Sequence, residues 1–158
     1  MDQKRELLRH ALATLAYRGG KAMREAPAGF AEFRVAETTR TPGQILAHLG
    51  DLMDWALSMA KGQEHWQNSP VLEWEPGVHR FYDGLGSLDG YLASARPLAV
   101  SPEALFQGAI ADALTHVGQI TMLRRMAGAP VKGENYSRAE IVTGRVGPEQ
   151  ATPGREFD

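Results

Sequence analysis

Four stretches of the chain repeat their apolar residues with the period of an α-helix. The first runs from Asp2 to about Glu25, and the residues that recur along one face at steps of three or four are Leu8, Leu12, Leu15, Gly19 and Met23. Further helices are predicted from Pro42 to about Lys61, from about His79 to Arg96 and from Glu103 to Ala127. Because no stretch shows the alternation typical of β-strands, the pattern predicts an all-α fold.

Two of the predicted helices begin with the same local signal. Thr41 is suited to cap the second helix, with Pro42 at the first helical position and Gln44 placed to complete a capping box. Ser101 and Pro102 repeat the cap and the proline before the fourth helix. These signals fix where both helices start.

The segments between the helices predict connectors. Residues 27–40 and 62–77 have no sustained apolar period, and the second segment mixes Gly, Pro, Asn and Ser with aromatic residues. We therefore expect residues 62–77 to form a loop that is held down by its aromatic side chains.

The chain changes character after Gly128, where the apolar period ends. Residues 129–158 are rich in Gly, Pro, Arg and Glu, which predicts an irregular tail with a short helix around residues 137–142. The sequence thus favours one domain over residues 1–158, with a four-helix bundle over about 1–128.

Composition and charge restrict the partners and cofactors. The 17 Lys and Arg against 19 Asp and Glu give a net charge of −2, which disfavours nucleic-acid binding. The sequence has no apolar run of membrane-spanning length and no apolar core of a signal peptide near its start, so we expect a cytoplasmic protein that binds no membrane. With no cysteine, a metal would be held by carboxylates and the five histidines.

One histidine and one carboxylate have the spacing of metal ligands. Asp112 and His116 are four residues apart, so their side chains share one face of the fourth helix. His48 lies on the apolar face of the second helix and is the natural third ligand. Three ligands would leave coordination positions open, as in a reactive site, and the donor types suit zinc first, nickel second, and also iron or manganese. From spacing alone, the more common explanation of such a pattern is a core histidine satisfied by hydrogen bonds, with Asp112 only orienting the ring of His116.

Two segments of the chain resemble a known family. TPGQILAHLGDLMDW over Thr41–Trp55 and DALTHVGQITMLRRMAG over Asp112–Gly128 are similar to the DinB/YfiT-like bacterial four-helix metalloproteins. These proteins carry His-Leu in the second helix, and a His or Asp followed after three residues by His-x-Gly-Gln in the last. The resemblance implies the ligands His48, Asp112 and His116, although many members have His where this chain has Asp112.

The resemblance also implies a range of activities. The family includes thiol-dependent S-transferases and a mycothiol-dependent isomerase, and its members are often homodimers. It implies a metal-dependent enzyme that acts on a small molecule by thiol-dependent transfer or metal-assisted hydrolysis. A non-catalytic, stress-related protein that binds a metal or ligand is the alternative. Since the chain has no cysteine, a transfer would need a low-molecular-weight thiol as cosubstrate.

Other side chains are candidates for a substrate pocket. Trp55 lies two turns after His48, where it would wall the pocket or simply belong to the core. If the tail folds back over the bundle mouth, it would present Asn135, Tyr136 and Arg145 to an anionic substrate. The tail could equally seal the bundle or form a dimer contact. The sequence supplies no separate general base.

Overall fold

The computed structural model describes residues 2–157 and is 58% helical with almost no strand, as an all-α fold requires. The long helices are α1 (Gln3–Met23), α2 (Pro42–Ala60) and α3 (Trp74–Ala93), followed by α4 (Pro102–Leu105), a π-helical segment (Phe106–Ile110) and α5 (Ala111–Met126). The last three continue into one another without a break in helical backbone geometry. None of the helices among the described residues is both long and apolar enough to cross a membrane.

The helices enclose one apolar core. Helix α1 packs against α3 and α5, and helix α2 packs against the same two helices. Leu12, Leu49, Phe81 and Ile120 come from the four packed helices and are each fully buried. Burial of such side chains supplies the main driving force for folding.

The capping signals in the sequence are confirmed. Gln44 donates its backbone N–H to the Thr41 hydroxyl over 3.2 Å, and its side-chain oxygen accepts from the Thr41 N–H over 2.9 Å. Ser101 accepts from the backbone N–H of Ala104 over 3.1 Å. At the other end, Gly128 has a φ of 76° and follows the last turn of α5, which ends at Met126.

The predicted start of the third helix is wrong by five residues. Helix α3 begins at Trp74, and Pro76 fits its first turn because no helical partner for a backbone N–H is needed there. The Trp74 ring packs edge to face on Phe30 at 5.3 Å and donates its indole N–H to the Met23 carbonyl over 3.2 Å. A Cβ on Gly84 would lie 2.7 Å from the Cβ of Met53, so glycine permits the close approach of α2 and α3.

The tail is mostly irregular, as predicted, but its short helix differs. A 3₁₀ turn over Tyr136–Arg138 replaces the expected helix over residues 137–142. The strands β1 (Gly133–Glu134) and β2 (Glu156–Phe157) pair antiparallel, so the two ends of the tail meet.

The tail is fastened to α1 by a group that we call the tail cluster, formed by the buried residues Tyr17, Lys21 and Glu134 and the exposed Glu156. Glu134 accepts from the Tyr17 hydroxyl over 2.7 Å and from the Lys21 ammonium over 2.9 Å. Lys21 also lies 3.1 Å from a carboxylate oxygen of Glu156. The Glu134 side chain is completely buried, so this ion pair is a firm attachment of the tail.

Candidate metal centre

The structure brings His48, Asp112 and His116 together. Asp112 and His116 project from successive turns of α5, and His48 faces them from α2. The Asp112 Oδ2 atom lies 3.4 Å from the Nε2 atom of His48 and 3.4 Å from that of His116. Within residues 2–157, this is the group of three His or carboxylate side chains whose ligand atoms could surround a metal ion, all lying within 4.8 Å of one another.

The separations are long for direct hydrogen bonds and are compatible with ligands that share one ion. Charge-assisted hydrogen bonds between imidazole and carboxylate are about 2.7–2.9 Å long. Nitrogen and oxygen ligands at about 2.0–2.1 Å from a tetrahedral ion stand about 3.3 Å apart. The observed 3.4 Å matches the second spacing, and the donor set is one that zinc, nickel, iron and manganese accept.

The His48 ring is held between two other rings. It meets the His116 ring edge to face at a centroid distance of 4.6 Å and the Trp66 ring at 5.5 Å. Burial lowers the pKa of His48, the neighbouring His116 lowers it further, and the contact with Asp112 partly opposes both. The neutral imidazole, which carries the lone pair that a metal needs, is therefore favoured.

Gln119 holds the other histidine. Its side-chain oxygen lies 2.8 Å from the Nδ1 atom of His116, so it accepts the Nδ1–H hydrogen bond. The proton on Nδ1 leaves the Nε2 lone pair free to face Asp112, which is the usual way in which an outer hydrogen bond orients a metal-ligating histidine.

The three residues line one side of an open cavity of about 830 Å³. Such a volume is typical of sites that take a small organic molecule. Helix α5 supplies much of the wall, because residues spaced three or four apart after Asp112 share one face. The remaining wall comes from α2 and from residues 35–40 before it.

The predicted pocket residues do not reach this cavity. Among the described residues, its lining omits Trp55, Asn135, Tyr136 and Arg145. Trp55 packs on Trp66 at 5.8 Å, and its indole N–H donates to Glu64 over 3.1 Å. It supports the loop that contacts His48.

The three tail residues lie elsewhere because the tail cluster holds the tail against α1. Asn135 accepts from the backbone and side chain of Ser137, and Arg145 pairs with Glu140 at 3.2 Å. Tyr136 lines a separate cavity of about 290 Å³ with Arg18. These three side chains thus lie outside the lining of the cavity beside the triad, and the course of the tail along α1 is compatible with the alternative that the tail seals the helices.

Three neighbours of the site were not predicted. Trp66 was expected only to anchor its loop, yet it packs on His48. Gln119 follows His116 by three residues, a helical spacing that could have identified it as a hydrogen-bond partner. Arg40 lies in a connector without a pattern and lines the cavity.

Comparison of the chain with models of known protein families, with curated proteins and with solved structures gives no match. The function of the chain must therefore follow from the chemistry of the site itself.

Proposed function

We propose that this chain is a DinB/YfiT-like four-helix bundle protein that binds one divalent transition-metal ion through His48, Asp112 and His116. In this proposal the ion serves a reaction on a small molecule. The observation that carries it is the convergence of two imidazole nitrogens and one carboxylate oxygen, at 3.4 Å spacings, beside an open cavity of about 830 Å³.

The donor chemistry supports zinc first and nickel second. Two neutral imidazoles and one carboxylate, with no thiolate anywhere in the chain, also suit iron or manganese. Three protein ligands leave the cavity side of the ion open to a substrate or cosubstrate. When bound, the ion supplies a Lewis-acid centre that lowers the pKa of a neighbouring thiol or water.

The residues of the chain have separate tasks in this proposal. His48 and His116 supply nitrogen lone pairs, and Asp112 supplies one negative charge. Gln119 keeps the Nδ1 proton of His116 in place, and Trp66 covers one edge of the His48 ring. The cavity orients the small molecule.

Thiol-dependent transfer fits the cavity better than hydrolysis. The titratable side chains that line it are Arg40 and the three proposed ligands, so no further residue there can act as a general base for water. A low-molecular-weight thiol ionises much more readily than water and loses its proton to solvent. Its sulfur then forms a bond to an electrophilic carbon as the leaving group departs with its bonding electrons.

Metal analysis of the protein purified without a His tag tests the ligand assignment. We expect about one equivalent of a transition metal after reconstitution, with anomalous scattering at its absorption edge centred between His48, Asp112 and His116. The His116→Ala variant should lose the metal while keeping its helical circular dichroism. His79 is exposed, and His79→Ala is the matched control that should bind as the wild type does.

Retention of the metal by His116→Ala, or failure of the wild type to bind any transition metal, would contradict the proposal. Turnover is tested by following the displacement of chloride from 1-chloro-2,4-dinitrobenzene by a low-molecular-weight thiol. Metal binding without thiol-dependent or hydrolytic turnover on a panel of such substrates would favour the alternative, a non-catalytic metal- or ligand-binding protein.

A further inference from the structure

The cavity beside His48 and His116 is lined by a charged side chain that is not one of the proposed metal ligands. Arg40 lines the cavity from the residue before the cap of α2. Within residues 2–157 its guanidinium makes no hydrogen bond or ion pair, although its charge acts on the His48 ring. An arginine presents donors in a planar fork that matches a carboxylate.

Three residues that line the same cavity are apolar and exposed. They are Met122, Met126 and Val35, with 56%, 54% and 47% of their surfaces exposed. Single exposed apolar side chains are ordinary, but three that line one cavity offer apolar surface to a ligand there. Methionine side chains adapt to ligands of different shape.

The charges decide which ligand fits. Asp112 is the carboxylate in the lining, and it is one of the three proposed metal ligands. Arg40 and Asp112 carry opposite charges, so the net charge at the cavity becomes positive when a divalent ion is bound. An anion is therefore favoured over a cation or a neutral molecule of the same shape.

We propose that the cavity takes a small organic carboxylate with an apolar body, whose charged group pairs with Arg40 and whose body lies on Met122, Met126 and Val35. This inference rests on the proposed function, because the same cavity would hold the substrate or cosubstrate. It names the chemical class of that molecule and makes Arg40 a specificity residue.

Calorimetry with metal-free protein at pH 7.5 tests the proposal with three probes of equal chain length, octanoate, octan-1-ol and octylammonium. In the metal-free protein Asp112 keeps its negative charge, so octylammonium reports pairing with that carboxylate and the decisive comparison is octanoate against octan-1-ol. We expect octanoate to bind more tightly than octan-1-ol, because Arg40 pairs with its carboxylate. Arg40→Gln should weaken octanoate binding roughly tenfold or more, as expected for loss of a charge-assisted pair, and should leave octan-1-ol binding unchanged. Arg40→Lys should retain part of the affinity.

Arg138→Gln is the matched control for the loss of one positive charge. Arg138 is exposed and does not line the cavity, so this variant should bind octanoate as the wild type does. Met122→Gln should weaken the binding of octanoate and of octan-1-ol alike, because it replaces an apolar side chain in the cavity lining with a polar one. Since metal-free protein is used, a failure of the metal proposal leaves these results interpretable.

Two outcomes would overturn the inference. The first is equal affinity for octanoate and octan-1-ol with no effect of Arg40→Gln. The second is a wild-type protein that is dimeric and binds none of the probes, and that Met126→Glu converts to a monomer. A second copy of the chain would then cover Met122, Met126 and Val35.

Discussion

The two polar clusters on either side of α5 differ in how completely their members satisfy one another. In the tail cluster, Lys21 and Glu134 meet at 2.9 Å and their side chains are 6% and 0% exposed. In the triad of His48, Asp112 and His116, both separations to Asp112 are 3.4 Å and the Asp112 side chain is 47% exposed. Both clusters join sequence-distant segments, but the Lys21–Glu134 pair of the tail cluster is buried, whereas Asp112 is open to solvent.

This difference separates a structural role from a functional one. A buried ion pair with short hydrogen bonds leaves no room for another atom, so it holds elements together. An open group of donors with an exposed carboxylate remains accessible to a ligand, as the proposed metal site requires. The tail cluster should therefore govern stability, and the triad should govern binding.

The largest expected effect is the loss of unfolding free energy when the tail cluster is broken. Lys21→Met would leave the Glu134 carboxylate buried without its ammonium partner, which costs about 3–5 kcal/mol in comparable pairs. Urea unfolding followed by circular dichroism measures the loss. Metal stoichiometry of the folded variant should stay at the wild-type value.

Lys4→Met is the matched control, since Lys4 forms an exposed pair with Glu103. Its unfolding midpoint should be nearly that of the wild type. An equally small effect of Lys21→Met would show that the tail cluster does not stabilise the fold.

A carboxylate near the triad should behave like the tail cluster. Asp51 is buried one turn after His48, accepts from Ser69 over 2.9 Å and pairs with Arg80 at 2.7 Å. Although burial alone would raise the pKa of Asp51, the hydrogen bonds from Ser69 and Arg80 lower it below its ordinary value. Asp51→Asn should cost about 2 kcal/mol at neutral pH.

The direction of the Asp51 pKa shift determines how the stability of the protein depends on pH. A carboxyl whose pKa is lower in the folded protein contributes stability above its unfolded pKa of about 3.9 and loses it as the pH falls through the folded pKa. The difference in unfolding free energy between wild type and Asp51→Asn should therefore shrink below about pH 4. Asp54→Asn, which removes the exposed partner of the same Arg80, should show a smaller effect. A constant difference between pH 3 and pH 7 for Asp51→Asn would contradict the assignment.

The smallest expected effect is a loss of metal affinity when the hydrogen bond that orients His116 is removed. Gln119→Leu removes the acceptor of the Nδ1–H hydrogen bond, and loss of such a partner weakens metal affinity by roughly tenfold, about 1.4 kcal/mol. Competition with a metal-sensitive dye measures the affinity. Gln119→Glu keeps an acceptor oxygen and should restore it, while unfolding free energies stay alike. Wild-type affinity in Gln119→Leu would show that the contact with His116 has no part in binding.

Local chemistry explains which parts of the fold could be predicted. The start of α2 follows from Thr41 and Gln44, which bond to each other across one turn whatever the rest of the chain does. The start of α3 depends on Trp74 reaching Phe30 and the Met23 carbonyl, contacts that exist only after α1 and α3 pack. The boundary of α3 was therefore missed, although its helical face was recognised.

The same distinction between local and long-range contacts explains which residues of the site could be predicted. The spacing of Asp112 and His116 places both side chains on one helical face, so their proximity could be predicted. The positions of Arg40 and Trp66 depend on irregular connectors, for which the sequence has no period. The course of the tail depends on the burial of Glu134, and a glutamate in a polar segment gives no sign that it will pair with Lys21.

The π-helical segment Phe106–Ile110 sets the rotation of helix α5 relative to the turn that precedes it. Each residue of an α-helix turns the chain by about 100°, so removal of one residue here would rotate everything after it by that angle relative to the preceding turn. Leu105 is fully buried before the segment, while Arg124 beyond it donates to the carbonyls of Ala22 and Arg24. With both ends fastened, the angular offset cannot be absorbed elsewhere. The π-helical turn is therefore retained, and it determines the direction in which the side chains of Asp112 and His116 project from α5.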